Sequence, residues 1–419
     1  MKVLQEFIGT EVGRLWLRRN KAVFSDHSPP RRPRLLVDVS VIVRDDAGTG
    51  IQRVVRSVWS QLISLSSNEF DVVPVYAART HGYCFAPIDF LSRRHALEQR
   101  PVGVRNGDRF LGLDLTAHYL PRWGKQIDSW RANGAEVHVV VYDLLPWTRP
   151  DWFAPATCER FGAWLSTIIG RADQLLCISE EVASELRGLI SLVAADRRPR
   201  IGRLYLSGDL AGSVPTVGLS PAVERALDLT RKTPTLLMVG TIEPRKAYDR
   251  AISAFDLLWA SSADAPSLLI IGKPGWKTAA LQDRIRQHPE LGRRLHWLQE
   301  ASDEALNQAY AAARGLLVAS HAEGFGLPLA EAAMHGRWAL VRDLPVFREQ
   351  RLPNVHYFSD DSANALAIAI ETITGLAEQR QPPRANLSSW SSCVGHLIGE
   401  IGFCGPPWPT SELKLVAVS

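Results

Sequence analysis

The sequence predicts an α/β protein of two halves, each a parallel sheet covered by helices on both faces. Three observations predict it. Short apolar runs recur along the chain and alternate with stretches of helical periodicity. Several runs end in Gly, Ser or Asp, which suit the passage from a strand into a helix N-terminus. A poorer region, about Ser207 to Lys232, separates two such series, and 419 residues suffice for two cores.

In the first series Leu35–Val39 follows a basic, proline-containing segment and reads as a strand. Gly48-Thr49-Gly50 then precedes a helix carrying Val54, Val55, Val58, Trp59, Leu62 and Ile63. Asp71–Val75 and Arg109–Leu113 are further strands. Val137–Tyr142 is the strongest of this half, with Asp143 at its carboxyl end. Gln174–Ile178 ends at Ser179, whose hydroxyl can cap a helix beginning near Glu180. In the second series the strands are Thr235–Val239, Ser267–Ile271, Leu295–Leu298, Gly315–Val318 and Trp338–Val341. Helices lie between them at Tyr248–Trp259 and Glu304–Ala313, the latter capped by Ser302 with acidic residues in its first turn. Pro382-Pro383 and Pro406-Pro407 bracket a closing helix around Ser391–Ile401.

Composition excludes several classes. The chain is 46% hydrophobic and 22% charged, with a formal charge of +4, which does not point to nucleic acid. It contains no apolar run long enough to span a bilayer. Met1–Lys21 lacks the apolar core of a signal peptide. Cys84, Cys158, Cys177, Cys393 and Cys404 are odd in number and widely spaced, as in a reducing compartment, and form no metal or redox motif. The expectation is a cytoplasmic protein. Two basic segments, Arg18-Arg19-Asn20-Lys21 and Arg31-Arg32-Pro33-Arg34, suit either a peripheral visit to an anionic membrane face or an ordinary solvated entrance to the first strand.

The most informative stretch is His321–Glu331. Gly324 and Gly326 permit close backbone approach or positive φ, and Pro328 suits the first helical turn. A strand, a tight turn and a helix N-terminus follow one another, so free amides there can receive an anion. Glu323 stands at the mouth of the turn and Glu331 about one turn inside the helix. A carboxylate beside an anion site is better used on hydroxyls, which suggests a ligand with both sugar hydroxyls and phosphate. Val239-Gly240-Thr241-Ile242-Glu243-Pro244-Arg245-Lys246 puts two cations at a helix entrance, where the dipole disfavours them unless an anion binds. Lys273, in Ile271–Lys277, either reaches the same anion or sits in a turn beside a packing aromatic.

The first half offers Asp45–Arg53, a glycine-rich loop that is neither a dinucleotide fingerprint nor a Gly-Lys-Ser/Thr phosphate loop. It is either a tight connection or a cover over phosphate or sugar, with Arg53 adding charge if it faces the opening. Asp143 either binds nearby amides or lines a cleft at the carboxyl ends of the strands. His118 and His138 read as structural, and His321 has no metal-ligand spacing.

The second half resembles the nucleotide-sugar-binding domain of retaining glycosyltransferases of the GT4, or glycosyl transferases group 1, family. The resemblance rests on "VGTIEPRK" at Val239–Lys246, "IIGKPGW" at Ile270–Trp276 and "HAEGFGLPLAEA" at His321–Ala332. The first half resembles bacterial members that make surface polysaccharides, through "VDVSVIVRDDAGTGIQRVV" and "VYDLLPWTRPDWF". The resemblance implies a GT-B fold, two Rossmann-like α/β/α domains facing each other across a cleft. It places an acceptor-side domain at 31–210, a nucleotide-sugar domain at 231–380 and a tail with the closing helix at 381–419.

It further implies roles. Glu323 resembles the glutamate on the donor sugar hydroxyls and Glu331 the one on the ribose. Arg245 and Lys246 resemble the cationic pair on the diphosphate, acting without a metal ion, and no Asp-x-Asp motif is evident. Gly240 lets the backbone approach; Gly48, Thr49 and Gly50 face the diphosphate; Lys273, Gly324, Phe325, Gly326 and Leu327 complete the donor site. Asp143 lines the cleft, although Tyr142 stands where many relatives have His before this Asp. The implied reaction transfers a hexose or deoxyhexose, GDP-mannose being the first donor expected, to a hydroxyl of a lipid-linked glycan or polysaccharide with retention. No cofactor is implied. A sugar-nucleotide epimerase, a non-catalytic binding component of a polysaccharide assembly complex and a dehydrogenase are the alternatives, the last disfavoured by the missing fingerprint.

Overall fold

The computed structural model describes residues 32–403 apart from 66–69, 93–95, 194–197, 214, 383–384 and 386. Seven strands build the first sheet: β1 (Arg34–Asp38), β2 (Asp71–Ala77), β3 (Tyr83–Phe85), β4 (Arg109–Gly112), β5 (Glu136–Val141), β6 (Gln174–Cys177) and β7 (Arg200–Arg203). Their spatial order is β3-β2-β1-β4-β5-β6-β7, parallel except for the β2–β3 pair. The second sheet contains β8 (Thr235–Val239), β9 (Ser267–Ile271), β10 (Leu295–Leu298), β11 (Gly315–Val318), β12 (Trp338–Arg342) and β13 (Val355–Phe358). Its order is β10-β9-β8-β11-β12-β13, and its pairs are parallel. Each sheet carries a buried apolar cluster on either face, because both faces of a parallel sheet are covered by helices.

Strand order reverses direction between β1 and β4, and again between β8 and β11. At such a switch point the connections leave on opposite faces and open a crevice beyond the carboxyl ends of the strands. The chain supplies its glycine-rich turns at these two places, at Gly48–Gly50 after β1, Gly240 after β8 and Gly324–Gly326 after β11.

All ten expected strands are present. The structure adds β3, β7 and β13, which the apolar pattern does not announce. β7 is Arg-Ile-Gly-Arg, with one buried position, and β13 is Val-His-Tyr-Phe, also with one. These are edge strands, which need fewer apolar residues than central ones.

The closing helix runs over Trp390–Glu400 and belongs to the core of the first sheet. Trp390, Cys393, Val394, Leu397 and Ile398 are buried beside Val54, Val58 and Leu204, and the Trp390 indole N–H donates to Asp209 O at 2.9 Å. Sequence periodicity marks this helix as amphipathic but cannot say which sheet it covers. Arg34 corrects the surface reading of the basic segment: it is 6% exposed, pairs with Asp108 at 2.5 Å and donates to Gly103 O at 2.6 Å. Arg18, Arg19, Lys21, Arg31, Cys404 and Pro406 lie outside the described residues. Among the described residues no helix is long and apolar enough to cross a membrane.

β1 ends in a fully buried acid. Asp38 accepts from Ser40 N at 3.0 Å, Ser40 Oγ at 2.5 Å and Tyr83 Oη at 2.8 Å. Burial pushes its carboxyl up from 3.8 to about 7, against the pull of these donors. The folded protein therefore binds more protons here than the unfolded chain between those values, so this residue makes stability fall as pH rises through that window. The slope from one such group is at most about 1.4 kcal/mol per pH unit. Asp38→Asn is expected to flatten the urea-midpoint profile between pH 5 and 7, and an unchanged slope would remove Asp38 as its source.

Candidate functional site

A cavity of about 1060 Å³ opens between the two sheets at both switch points. Its centre is an ion cluster from two turns. After β8 the chain makes a 3-10 turn, Pro244–Lys246, and then Ala247 adopts φ 50° before the helix Tyr248–Ser261 begins. A left-handed conformation is uncommon for a residue with a side chain, and this one is 1% exposed. The cations thus sit in a turn ahead of the helix. The His321 amide donates to Arg245 O at 2.7 Å and ties this turn to the one after β11.

Glu323 accepts from Arg245 Nη1 at 2.6 Å, Lys246 Nζ at 2.5 Å and Ser320 Oγ at 2.7 Å. Arg245 also holds Glu243 at 2.7 Å and donates to Ala322 O at 3.0 Å. Burial pushes the Glu323 carboxyl up, but the two cations and the hydroxyl outweigh it and bring it down to about 2. Burial and the Arg245 guanidinium push the Lys246 ammonium down. Burial pushes Asp143 up against the pull of Arg245. Asp143 does both things expected of it, accepting from the Leu145 amide at 3.1 Å and lining the cavity.

The glycines are used where the backbone is closest. A β-carbon on Gly272 would stand 1.9 Å from Gly240 O. One on Gly324 would stand 2.1 Å from Tyr142 O, in the other half. Gly326 has φ 86° and precedes the helix Leu327–Met334, with Pro328 in its first turn. Gly324→Ala is therefore expected to push the halves apart, raising the radius of gyration in small-angle scattering and weakening binding in the cavity; an unchanged scattering profile would count against this contact as the closure point.

The first-half loop meets this turn. Thr49 caps the helix Gly50–Ser64 and forms a reciprocal capping box with Gln52, and Gly48 has φ 66°. A β-carbon on Gly50 would touch Leu327 Cδ1 at 3.6 Å. Lys273 Nζ donates to Ala47 O at 2.8 Å, a link across the cleft. Trp276 Nε1 reaches Trp152 O at 2.8 Å, and Glu349 accepts from the amides of Glu180 and Glu181 at 2.9 and 3.1 Å.

Of the sequence-predicted site residues, all but Glu331 line the cavity. Glu331 is 1% exposed, ion-paired with Arg53 of the first half and accepting from Tyr310 Oη at 2.6 Å. Arg53 does face the opening, and it also reaches Asp303 at 3.5 Å. His138 is buried in its sheet, 3.0 Å from Gln174 Oε1. His118 differs from its structural reading: it is exposed on the cavity wall. Sequence reasoning missed Glu243, Ser320 and Asp303. Glu243 and Ser320 lie within or next to the quoted motifs, but only folding shows that they complete the charge network.

Two cations and a carboxylate thus meet at the facing switch points of two sheets. Residues 221–388 match the family described as Glycosyl transferases group 1. That part of the chain belongs to the family. Over 384 residues, 89% of the chain, the protein is 39% identical to the serotype-specific mannosyltransferase WbdA of Escherichia coli. The match covers 47% of that protein, so the chain spans about half the length of the relative. It is also 25% identical over 267 residues to the O-antigen chain mannosyltransferase RfbU of Salmonella typhimurium, covering 62% of the chain and 69% of that protein. Among solved structures, Anabaena Alr3699/HepE in complex with UDP and glucose superposes with a TM-score of 0.57 at 15% identity, over 88% of this chain and 99% of that one. At that identity the likeness concerns the fold, which is GT-B.

Proposed function

We propose that this protein is a retaining glycosyltransferase that moves mannose from GDP-mannose to a hydroxyl of a lipid-linked glycan or polysaccharide. The observation that carries the reading is the Arg245–Lys246–Glu323 cluster in the cleft, opposite Gly48–Gly50. The mannosyltransferase names of the relatives support the choice of sugar. The acceptor-side unit is 31–210 and the donor-side unit 231–380, with the helix Trp390–Glu400 packed back onto the first sheet.

When the bond from the anomeric carbon to the diphosphate oxygen breaks, negative charge grows on the leaving oxygen and positive character on the sugar. Lys246 and Arg245 stabilise the first, with no metal ion required, and the nearby amides at Gly324–Leu327 add to them. Glu323, held anionic by its neighbours, takes the sugar hydroxyls. Asp143 sits where the attacking hydroxyl enters from the acceptor side. The acceptor oxygen bonds to the anomeric carbon on the face that the diphosphate leaves, its proton passes to the departing diphosphate oxygen, and the configuration is retained. Glu331 serves the ribose once Arg53 shares or yields its carboxylate.

A panel of nucleotide sugars, incubated with purified protein, chelator and lipid-linked acceptors and read by mass spectrometry, tests this. The expected result is a hexose mass gain with GDP-mannose, lost in folded Glu323→Ala. Free nucleotide with an altered sugar in the absence of acceptor would indicate an epimerase. Donor binding without turnover on any acceptor would indicate a binding component.

A further inference from the structure

The base end of the cavity carries a more specific inference, which rests on the nucleotide-sugar reading above. The charge cluster marks the diphosphate position at the exits of β8 and β11. On one side β9 and then β10 follow β8, so the β10 exit lies two strand spacings away, roughly 10 Å. In a nucleoside diphosphate the ribose separates the base from the phosphates, so the base must lie away from the charge cluster, along the strand exits. The β10 exit, Gln299–Ser302, lines the cavity there, together with Gly218, Ser220 and Val223.

This end is built. Ser302 Oγ donates to Gly218 O at 2.6 Å, and Gly218 N donates to Glu304 Oε2 at 2.7 Å. Asp303 accepts from Thr216 N and Oγ1 at 2.9 and 3.0 Å and faces Arg56 at 3.6 Å. Its carboxylate is thus already engaged, as is that of Glu304. Leu306 and Val223 contribute apolar surface for the face of a flat ring. Glu300, on the same wall, is exposed and makes no hydrogen bond or ion pair among the described residues. It is the carboxylate left to a ligand at this end.

We propose that Glu300 selects guanine. The Watson–Crick edge of guanine carries two adjacent donors, N1–H and the 2-amino group, which match the two oxygens of a carboxylate. Uracil and thymine present one N–H between two carbonyl oxygens, and a carboxylate repels both. Glu300 is therefore a specificity-determining residue that favours a guanosine diphosphate donor over a uridine or thymidine one.

The test is calorimetric titration of the purified 419-residue chain with GDP, IDP and UDP. IDP differs from GDP only by the missing 2-amino group, so it reports the proposed contact in the unaltered protein. The wild type is expected to bind GDP about tenfold or more tighter than IDP or UDP. Glu300→Gln is expected to bring GDP down to the level of IDP and to bind UDP more tightly than the wild type does, because the charge that repels the uracil carbonyls is gone; an exposed side chain can be replaced without disturbing the fold. Equal binding of GDP and IDP, preference for UDP, or an intact GDP preference in Glu300→Gln would each overturn the proposal. Binding of none of the three would remove the nucleotide-sugar reading itself, whereas a UDP preference removes the guanine assignment alone.

Discussion

Replacing Lys246 by alanine is expected to lower kcat for sugar transfer by roughly 10²- to 10³-fold, the loss seen when one preorganised donor to a developing oxyanion is removed. The physical reason is the position of the charge. Lys246 Nζ lies 2.5 Å from Glu323 Oε1 in a half-buried turn, beside Arg245, whose guanidinium holds both Glu323 and Glu243. The site therefore keeps one ammonium and one guanidinium in low-dielectric surroundings, where an approaching diphosphate interacts with them more strongly than in water. Ground-state donor already carries charge, so some affinity is lost too. The larger loss falls on kcat, because the leaving oxygen gains its extra charge only in the transition state. Steady-state kinetics of Lys246→Ala at saturating donor checks this. A rise in donor KM with kcat unchanged would show that Lys246 contributes only uniform binding.

Glu323→Ala is expected to destabilise the fold as well as abolish transfer. The carboxylate is the shared acceptor of Arg245, Lys246 and Ser320. Its removal leaves Arg245 with Glu243 but takes from Lys246 its only carboxylate within ion-pair distance among the described residues. Breaking a buried pair from one side typically costs about 3–5 kcal/mol, because the remaining charge stays desolvated. Urea unfolding at neutral pH measures it, and Glu323→Gln, which keeps shape and one acceptor, is expected to lose less. The pH dependence has a definite sign. The Glu323 carboxyl is held at about 2 against an ordinary 4.5, so its contribution is complete above the ordinary value and disappears as pH falls through the folded one. Wild type and Glu323→Gln should therefore converge in stability toward pH 2. A constant gap down to that pH would mean that packing, and not charge, sets the difference.

The two acids titrate in opposite senses. Asp38 has burial and only neutral donors, so its carboxyl rises to about 7; Glu323 is also buried but faces two cations, so it falls. Nothing in the sequence separates them. Asp38 stands in an apolar strand and Glu323 in a glycine-rich turn, and each reads as one acid at the carboxyl end of a strand. The sign of each shift depends on groups far away in the chain, the residues that bury Asp38 together with the Asp114 carboxylate for one, and Arg245 with Lys246 for the other.

Much of the candidate site was nevertheless legible. The turns after β8 and β11 are local motifs, and their glycines, cations and carboxylates occur within a few residues of one another. A local motif carries its conformation with it: Gly326 supplies the positive φ, Pro328 the first helical turn, Gly240 the open backbone. Glu331 was legible as a residue but not in its surroundings. Its place in the helix Leu327–Met334 follows from sequence spacing, whereas its pairing with Arg53 joins helices from the two halves of the chain. Asp303 and Glu243 took their roles in the same way, from what folded up against them.

By itself the sequence determined the alternation of strand and helix, the two series, and the residue types at each strand exit, because these depend on periodicity and on backbone preferences of Gly, Pro, Ser and Asp over short spans. Tertiary structure alone decided which strands became neighbours and hence where each sheet reverses direction. It also decided that the helix Trp390–Glu400 covers the first sheet, and that Gly324 meets Tyr142 across the cleft. Those outcomes are set by burial of apolar faces and pairing of charges between segments far apart in the chain, and no local pattern encodes them.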